Sequence, residues 1–188
     1  MKKLVVGITG ASGAPYAKRL LEALVARRRD HADVELACVL SSTAKEVWAL
    51  ECGGSPEDLG VAIYGGRDYR APFASGSAGW DAMAIVPCSM GTCGRVAHGV
   101  SDTLLTRAAD VMLKERRTLV VVPRETPMSL IHLENLVTLA RAGAIVLPAA
   151  PSFYARPTGI DALVDTVVHR ILDHLGLPAA GAARWGAK

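Results

Sequence analysis

The chain has 188 residues, 51% of them hydrophobic, and 21 Lys+Arg against 18 Asp+Glu give a formal charge of +3. That length fits one domain, 1–188, with a core of its own, and a charge so close to balance gives no case for a nucleic-acid partner. The apolar run Leu4–Ile8 behind Met1-Lys2-Lys3 is too short for a signal peptide, and no run approaches a membrane span, so the expectation is a soluble, cytoplasmic protein. The four cysteines (Cys38, Cys52, Cys88, Cys93) contain no C-x-x-C pair and read as reduced thiols rather than disulfides or a zinc site.

Leu4–Ile8 predicts a buried strand, and Thr9-Gly10-Ala11-Ser12-Gly13 the turn that leaves it. Pro15 then falls in the first helical turn, where its missing N–H costs nothing. Glycine lets backbone approach a ligand closely, and the free N–H groups at a helix start favour an anion; Ser12 adds a hydroxyl. Leu20, Leu21, Leu24 and Val25 give the helix its apolar stripe, and Arg27-Arg28-Arg29 are expected to end it. Val34–Leu40 reads as the second strand and Ala44–Leu50 as a helix leading to Glu51. A dinucleotide site wants an acid after the second strand to hold a ribose diol. Ser41-Ser42-Thr43 stand there instead, and the glycines run G-x-x-G-x-x-G (Gly7, Gly10, Gly13), which favours a mononucleotide over NAD.

Residues 53–80 show no clear periodicity and read as a functional loop or lid, with 71–77 small enough to lie against a ligand. Ala82–Pro87 is the next strand, followed by Cys88-Ser89-Met90-Gly91-Thr92, a second turn rich in hydroxyls. Ser101–Arg117 predicts a helix capped by Ser101 or Asp102, with Leu104, Leu105, Ala108, Val111 and Met112 facing the core and Lys114-Glu115-Arg116-Arg117 as a solvated end. Leu119–Val122 is a strand that stops at Pro123-Arg124-Glu125-Thr126-Pro127, where packing alone explains an Arg and a Glu poorly. Ser129–Ala142 is a helix in which His132 is an ordinary member. Ala144–Leu147 is the last strand, leading to Tyr154, and Ile160–Leu175 the last helix. Arg170 lies at the edge of that helix's stripe, placed either to reach a half-buried site while its stem packs or to form a structural ion pair. The tail, 176–188, with Arg184-Trp185, is expected to pack on a neighbouring subunit. Strands alternating with helices give an α/β fold, a parallel sheet covered by helices on both faces in three layers. Ser12, Ser41, Ser89, Arg124-Glu125 and Tyr154 then all fall at the carboxyl ends of strands, where open α/β sheets bind ligands.

The segments TGASGAPY (9–16), PFASGS (72–77), PCSMGT (87–92), TRAADVMLKERRTLVVVPRETP (106–127), HLEN (132–135), PAAPSFY (148–154) and ARW (183–185) resemble the UbiX-like flavin prenyltransferases. The resemblance implies a Rossmann-like flavoprotein fold and an enzyme that joins a dimethylallyl group from dimethylallyl phosphate to reduced FMN, through N5 and C6. It further implies a product serving UbiD-type decarboxylases, a homo-oligomer (a dodecamer) with sites at subunit contacts, and no metal. Residue by residue, Gly10, Ala11, Ser12, Ser41, Ser89, Met90, Gly91, Thr92 and Arg124 match the family's FMN contacts. Tyr154 and Arg170 match positions that bind the prenyl phosphate, with Lys114, Arg124 and Glu125 around it. Ser12 and Glu51 match a pair near flavin N5, candidates for moving a proton there; Tyr69, in the loop at 53–80, takes no role.

The residue types agree with that chemistry. Allylic C–O cleavage without a divalent cation leaves a phosphate whose charge must be met by fixed donors, which Lys114, Arg124, Arg170 and the Tyr154 hydroxyl supply, with Glu125 as the acid. Two alternatives stand beside this reading. An FMN-dependent cysteine decarboxylase would need an active-site His after the first helix and a PxMNxxMW-like segment. His31 is expected in a polar loop instead, and Pro127-Met128 is followed by Ser129. A non-catalytic FMN-binding decarboxylase subunit would leave Arg124-Glu125, Tyr154 and Arg170 without a purpose. The choice between a monophosphate and a diphosphate donor stays open.

Overall fold

Period-two alternation decides what each face of the sheet meets. In the computed structural model, which describes residues 1–179 together with 182 and 186, the first strand, β1, runs Lys2–Ile8. Leu4, Val6 and Ile8 point into one apolar layer, and Val5 into the other. The remaining strands are β2 (Val34–Leu40), β3 (Ala62–Tyr64), β4 (Ala82–Cys88), β5 (Thr118–Pro123) and β6 (Ile145–Val146), in the spatial order 3-2-1-4-5-6 with every neighbouring pair parallel. This is the doubly wound order, and its direction of winding reverses between β1 and β4.

The helices are α1 (Ala14–His31), α2 (Ala44–Cys52), α3 (Met90–Ala97), α4 (Leu104–Lys114), α5 (Leu130–Arg141) and α6 (Ile160–His174). Leu20, Leu21 and Leu24 of α1 join Val167, Val168 and Ile171 of α6 under the Leu4/Val6/Ile8 face. All three leucines are fully buried, and each contributes about 1.5–3 kcal/mol of burial. Arg19 of α1 clamps Asp165 of α6 with both oxygens, at 2.8 and 2.6 Å. Leu104, Leu105, Ala108 and Met112 of α4 cover the opposite face. Among the described residues, no helix is long and apolar enough to cross a membrane.

Several boundaries differ from the sequence reading, each for a local reason. Helix α1 continues through the arginine triplet to His31 and ends at Ala32 in the left-handed region (φ 51°). The triplet falls at the helix end as expected, with Arg28 and Arg29 in the last turn, and Arg27 also reaches Asp33 (2.6 Å) and Arg28 the carbonyl of Gly60 (3.0 Å). His31 is therefore helical, and Glu51 lies inside α2 instead of after it. Helix α3 was not foreseen, because Gly91 and Gly94 lower helix propensity. Ser89 caps it, and Met90, Cys93 and Val96 supply a buried stripe every third residue. Helix α4 starts at Leu104, with Thr103 as its cap in a reciprocal pair with Thr106, in place of Ser101 or Asp102.

The region 53–80 is less irregular than expected. It holds the edge strand β3 and two short 3₁₀ turns, Pro56–Leu59 and Gly76–Ala78. Phe73 is fully buried, with Tyr64 and Trp80 edge-on to it at ring separations of 5.1 and 5.5 Å. Segment 71–77 is thus part of the core-covering connection between β3 and β4 rather than a free lid. In the tail, Leu177 is 5% exposed and packs in the core of its own chain; Arg184 and Trp185 lie outside the described residues.

Candidate active site

At the switch point four loop ends are bonded to one another. The Thr9 hydroxyl donates to the Pro87 carbonyl (2.7 Å) and accepts from the Ser89 N–H (2.8 Å), joining the β1 and β4 loops. The Ser41 N–H donates to the Ile8 carbonyl (2.9 Å), which brings in the β2 loop. Arg124, just past β5, donates through Nε to the Ser12 carbonyl (2.9 Å). Ser12, Ser41, Ser89 and Arg124, expected at strand ends from sequence, are therefore gathered along one rim.

Two glycines make the close approach work. A Cβ on Gly10 would overlap the Thr43 side chain, so the β1 and β2 loops touch only because that position is bare. Gly13 caps α1 at φ 117°, a conformation that other residues rarely adopt. Met90 is 5% exposed and packs in the core at the start of α3. Gly91 is exposed, and Thr92 turns its hydroxyl to Ser89 (3.1 Å). Ala11 is nearly buried.

The first N–H groups of α1, read from sequence as a seat for a ligand's anion, already have one. Oε2 of Glu51 accepts from both Gly13 and Ala14, at 2.8 Å each. Partial burial acts to raise the Glu51 pKa. The Ser12 hydroxyl, the two N–H groups and the Arg124 guanidinium outweigh that and hold it below the ordinary carboxylate value. Ser12, Glu51 and Arg124 thus form one charge-compensated group at the start of α1.

Tyr154 and Arg170 come together elsewhere, in a cavity of about 800 Å³ between the loop after β6 and α6, with Ser152, Thr166 and His169 also on its walls. The Ser152 N–H donates to the Thr166 hydroxyl (3.1 Å), fixing the loop on the helix. Arg170 is ion-paired to Asp173 one turn on (2.7 Å), as the structural alternative expects, while its side chain stays 59% exposed. Glu125 is half-buried, and its carboxylate accepts from the Thr126 N–H (3.0 Å).

Lys114 stands apart. It ends α4, which leads into Thr118, and Thr118 pairs with Ala82, the first residue of β4. That places Lys114 at the amino edge of the sheet, paired to Glu115, while Arg124 and Glu125 leave the carboxyl edge. Five strand steps of about 3.3 Å separate the two edges, so one chain does not bring Lys114 to Arg124. Sequence reasoning missed Thr9 as a link, along with Ser152, Thr166 and His169. The only signal for the last two was that they share α6 with Arg170.

All four cysteines are free, with the sulfurs of Cys88 and Cys93 3.5 Å apart under the β4 loop. Burial, then Cys93 itself, push the Cys88 thiol well above its ordinary pKa.

A family model described as Flavoprotein matches residues 1–172. The flavin prenyltransferase UbiX of Pseudomonas aeruginosa is 44% identical, over 98% of this chain and 94% of its own length. A solved dodecameric FMN-dependent UbiX-like decarboxylase from Escherichia coli matches with a TM-score of 0.92 at 44% identity, covering 98% of this chain and 100% of its own. AnUbiX, solved in complex with FMN and dimethylallyl pyrophosphate, gives 0.91 at 40% identity, covering 100% and 98%. The FMN-dependent cysteine decarboxylase SpaF shares the fold alone, at 18% identity and a TM-score of 0.59, covering 89% and 97%.

Proposed function

The chain belongs to the flavoprotein family and, within it, to the UbiX flavin prenyltransferases, and from that premise we propose that the switch-point rim seats FMN and the Tyr154–Arg170 cavity takes the phosphate of the prenyl donor. The protein is a flavin prenyltransferase that joins a dimethylallyl group to reduced FMN. The observation that carries the assignment of the seat is the convergence of the β1, β2, β4 and β5 loops through Thr9, Ser41 and Arg124.

The residues present fit the cofactor. Hydroxyls of Ser41 and Ser89, the exposed Gly91 backbone at the start of α3 and the Arg124 guanidinium are donors suited to a phosphate monoester. Glu51 already fills the start of α1, so the phosphate belongs on the α3 side. When bound, reduced FMN supplies the nucleophilic ring atoms that accept the prenyl carbon. Arg124 donates to the Ser12 carbonyl, and in this reading Ser12 and Glu51 would move a proton at flavin N5.

At the donor, the C–O bond breaks and the electron pair leaves with the phosphate. Arg170 and the Tyr154 hydroxyl meet that charge, Glu125 supplies a proton, and donors fixed in advance lower the barrier because they need no reorganisation. Lys114 joins them from a second copy of the chain, since its own fold places it at the far edge. Leu130 and Ile131 of α5, 70% and 68% exposed, support such assembly, because apolar side chains clustered in this way mark contact surfaces. We take the assembly to be a dodecamer, as for the E. coli relative. The protein would be a single domain spanning 1–188, with its tail against a neighbour, and its prenylated product would pass to a UbiD-type decarboxylase. The free cysteines agree with a reducing, cytoplasmic compartment.

The test is anaerobic incubation of the full chain with reduced FMN and either dimethylallyl phosphate or the diphosphate, followed by mass spectrometry of the flavin. A gain of one five-carbon unit is expected, and the donor that gives it settles the phosphate number. Unchanged flavin with both donors would overturn prenyl transfer, and carbon dioxide released from a peptide ending in cysteine would put a decarboxylase in its place.

A further inference from the structure

The ladder between β1 and β4 stops at the Gly7–Ile85 pair, and on its other side β4 shifts register against β5 between Ile85 and Cys88. Beyond that pair the ends of β1 and β4 are joined by the Thr9 N–H, which donates to the Pro87 carbonyl (3.3 Å). The Thr9 hydroxyl donates to the same carbonyl at 2.7 Å and accepts from Ser89 N at 2.8 Å. Thr9 is 1% exposed, so water does not replace these partners. Ser89 in turn caps α3 through Thr92 N (3.4 Å).

We infer that Thr9 is a positioning residue for the flavin seat: through Ser89 it fixes the spacing between the turn at 10–12 and the start of α3, the two walls that receive the flavin phosphate. The inference rests on the reading that this crevice takes FMN. A hydroxyl is required because the position must donate and accept at once. Valine has the same shape and does neither, which takes from the half-buried Ser89 N–H its acceptor on Thr9, and losing such a partner is costly.

The experiment is an FMN titration of the full chain, followed by flavin fluorescence, with steady-state kinetics on reduced FMN. The series is wild type, Thr9→Ser, Thr9→Cys and Thr9→Val, with Thr106→Val as control. Thr106 is an equally buried hydroxyl (2% exposed) that serves the cap of α4. Thr9→Val is expected to weaken FMN binding and raise KM for reduced FMN by roughly tenfold or more, with kcat at saturating flavin nearly unchanged. Thr9→Ser should restore affinity, and Thr9→Cys should fall between. Thr106→Val should lower Tm without moving the FMN affinity. If Thr9→Val does not fold, the order of Ser above Cys still carries the inference. Equal affinity across the Thr9 series, or an equal loss in Thr106→Val, would overturn it while leaving the flavin seat standing. A wild-type chain that binds no FMN would overturn the seat and this inference with it.

Discussion

The switch-point crevice and the cavity between the 148–155 loop and α6 each gather donors suited to a phosphate, but the crevice draws them from four strand ends and the cavity from one loop seated on one helix. The loops of the crevice are linked by Thr9 to Ser89, Ser41 to Ile8, Arg124 to Ser12 and Glu51 to Gly13. In the cavity, by contrast, Tyr154 is 83% exposed, Arg170 is ion-paired within its own helix, and Lys114 sits across the sheet. Preorganised donors bind and stabilise charge without a cost of ordering. On the proposed reading, the flavin seat is held by bonds within one chain, and the donor seat is completed by Lys114 of a second copy. A dispersed subunit would keep the first and lose the second.

In the proposed reading Arg124 serves both the FMN and the donor phosphate, so its removal has the largest expected effect. Arg124→Ala or Glu125→Gln should lower prenylation at least about a hundredfold, the ~2.7–4 kcal/mol of one lost transition-state donor, with the circular dichroism spectrum unchanged. Near-normal turnover would remove them from the mechanism. The next largest effect separates the regions. Lys114→Ala and Arg170→Ala should each be strongly impaired alone. Mixed oligomers assembled from the two variants should regain roughly a quarter of the wild-type rate, because random pairing of copies rebuilds that share of sites. No recovery on mixing would mean that Lys114 and Arg170 serve the same chain's site, and the comparison would fail.

The layering of the fold was legible because the near-continuous apolar runs Leu4–Ile8 and Val34–Leu40 and the stripe Leu20, Leu21, Leu24 point to a parallel sheet buried on both faces. The rim was legible for the same reason: once strands are placed, their last residues follow. Helix α3 was not, because Ser89 and the Met90, Cys93, Val96 stripe override two glycines only through tertiary packing. Nor was the role of 71–77, since small residues around one buried Phe73 look the same in a lid and in a core cover. Lys114 shows the deeper limit. A motif places residues side by side in sequence, but Lys114 and Arg124 flank β5 and so leave opposite edges of the sheet. Glu51 shows another: the anion for α1 came from inside the chain, 38 residues on, a pairing that no local pattern carries.

Glu51 also gives the smallest effect, and the one that tests whether the crevice is as self-contained as its bonds indicate. Its carboxylate is held below the ordinary value against partial burial by the Ser12 hydroxyl, the Gly13 and Ala14 N–H groups and Arg124. A depressed folded-state pKa adds stability that is complete above the unfolded value, about 4.3, and is lost as pH falls through the folded one. Glu51→Gln keeps an acceptor for the helix start but no charge. The wild type should therefore be more stable at neutral pH by the ~0.3–1 kcal/mol typical of a partly exposed charge at a helix N-terminus, about 1–4 °C in Tm for a chain of this size. That gap should hold from pH 8 to about 5 and close in more acidic buffer. A gap that is flat with pH would show that the carboxylate's charge does not hold the start of α1, leaving those N–H groups for a ligand's phosphate and moving the flavin seat toward Gly13.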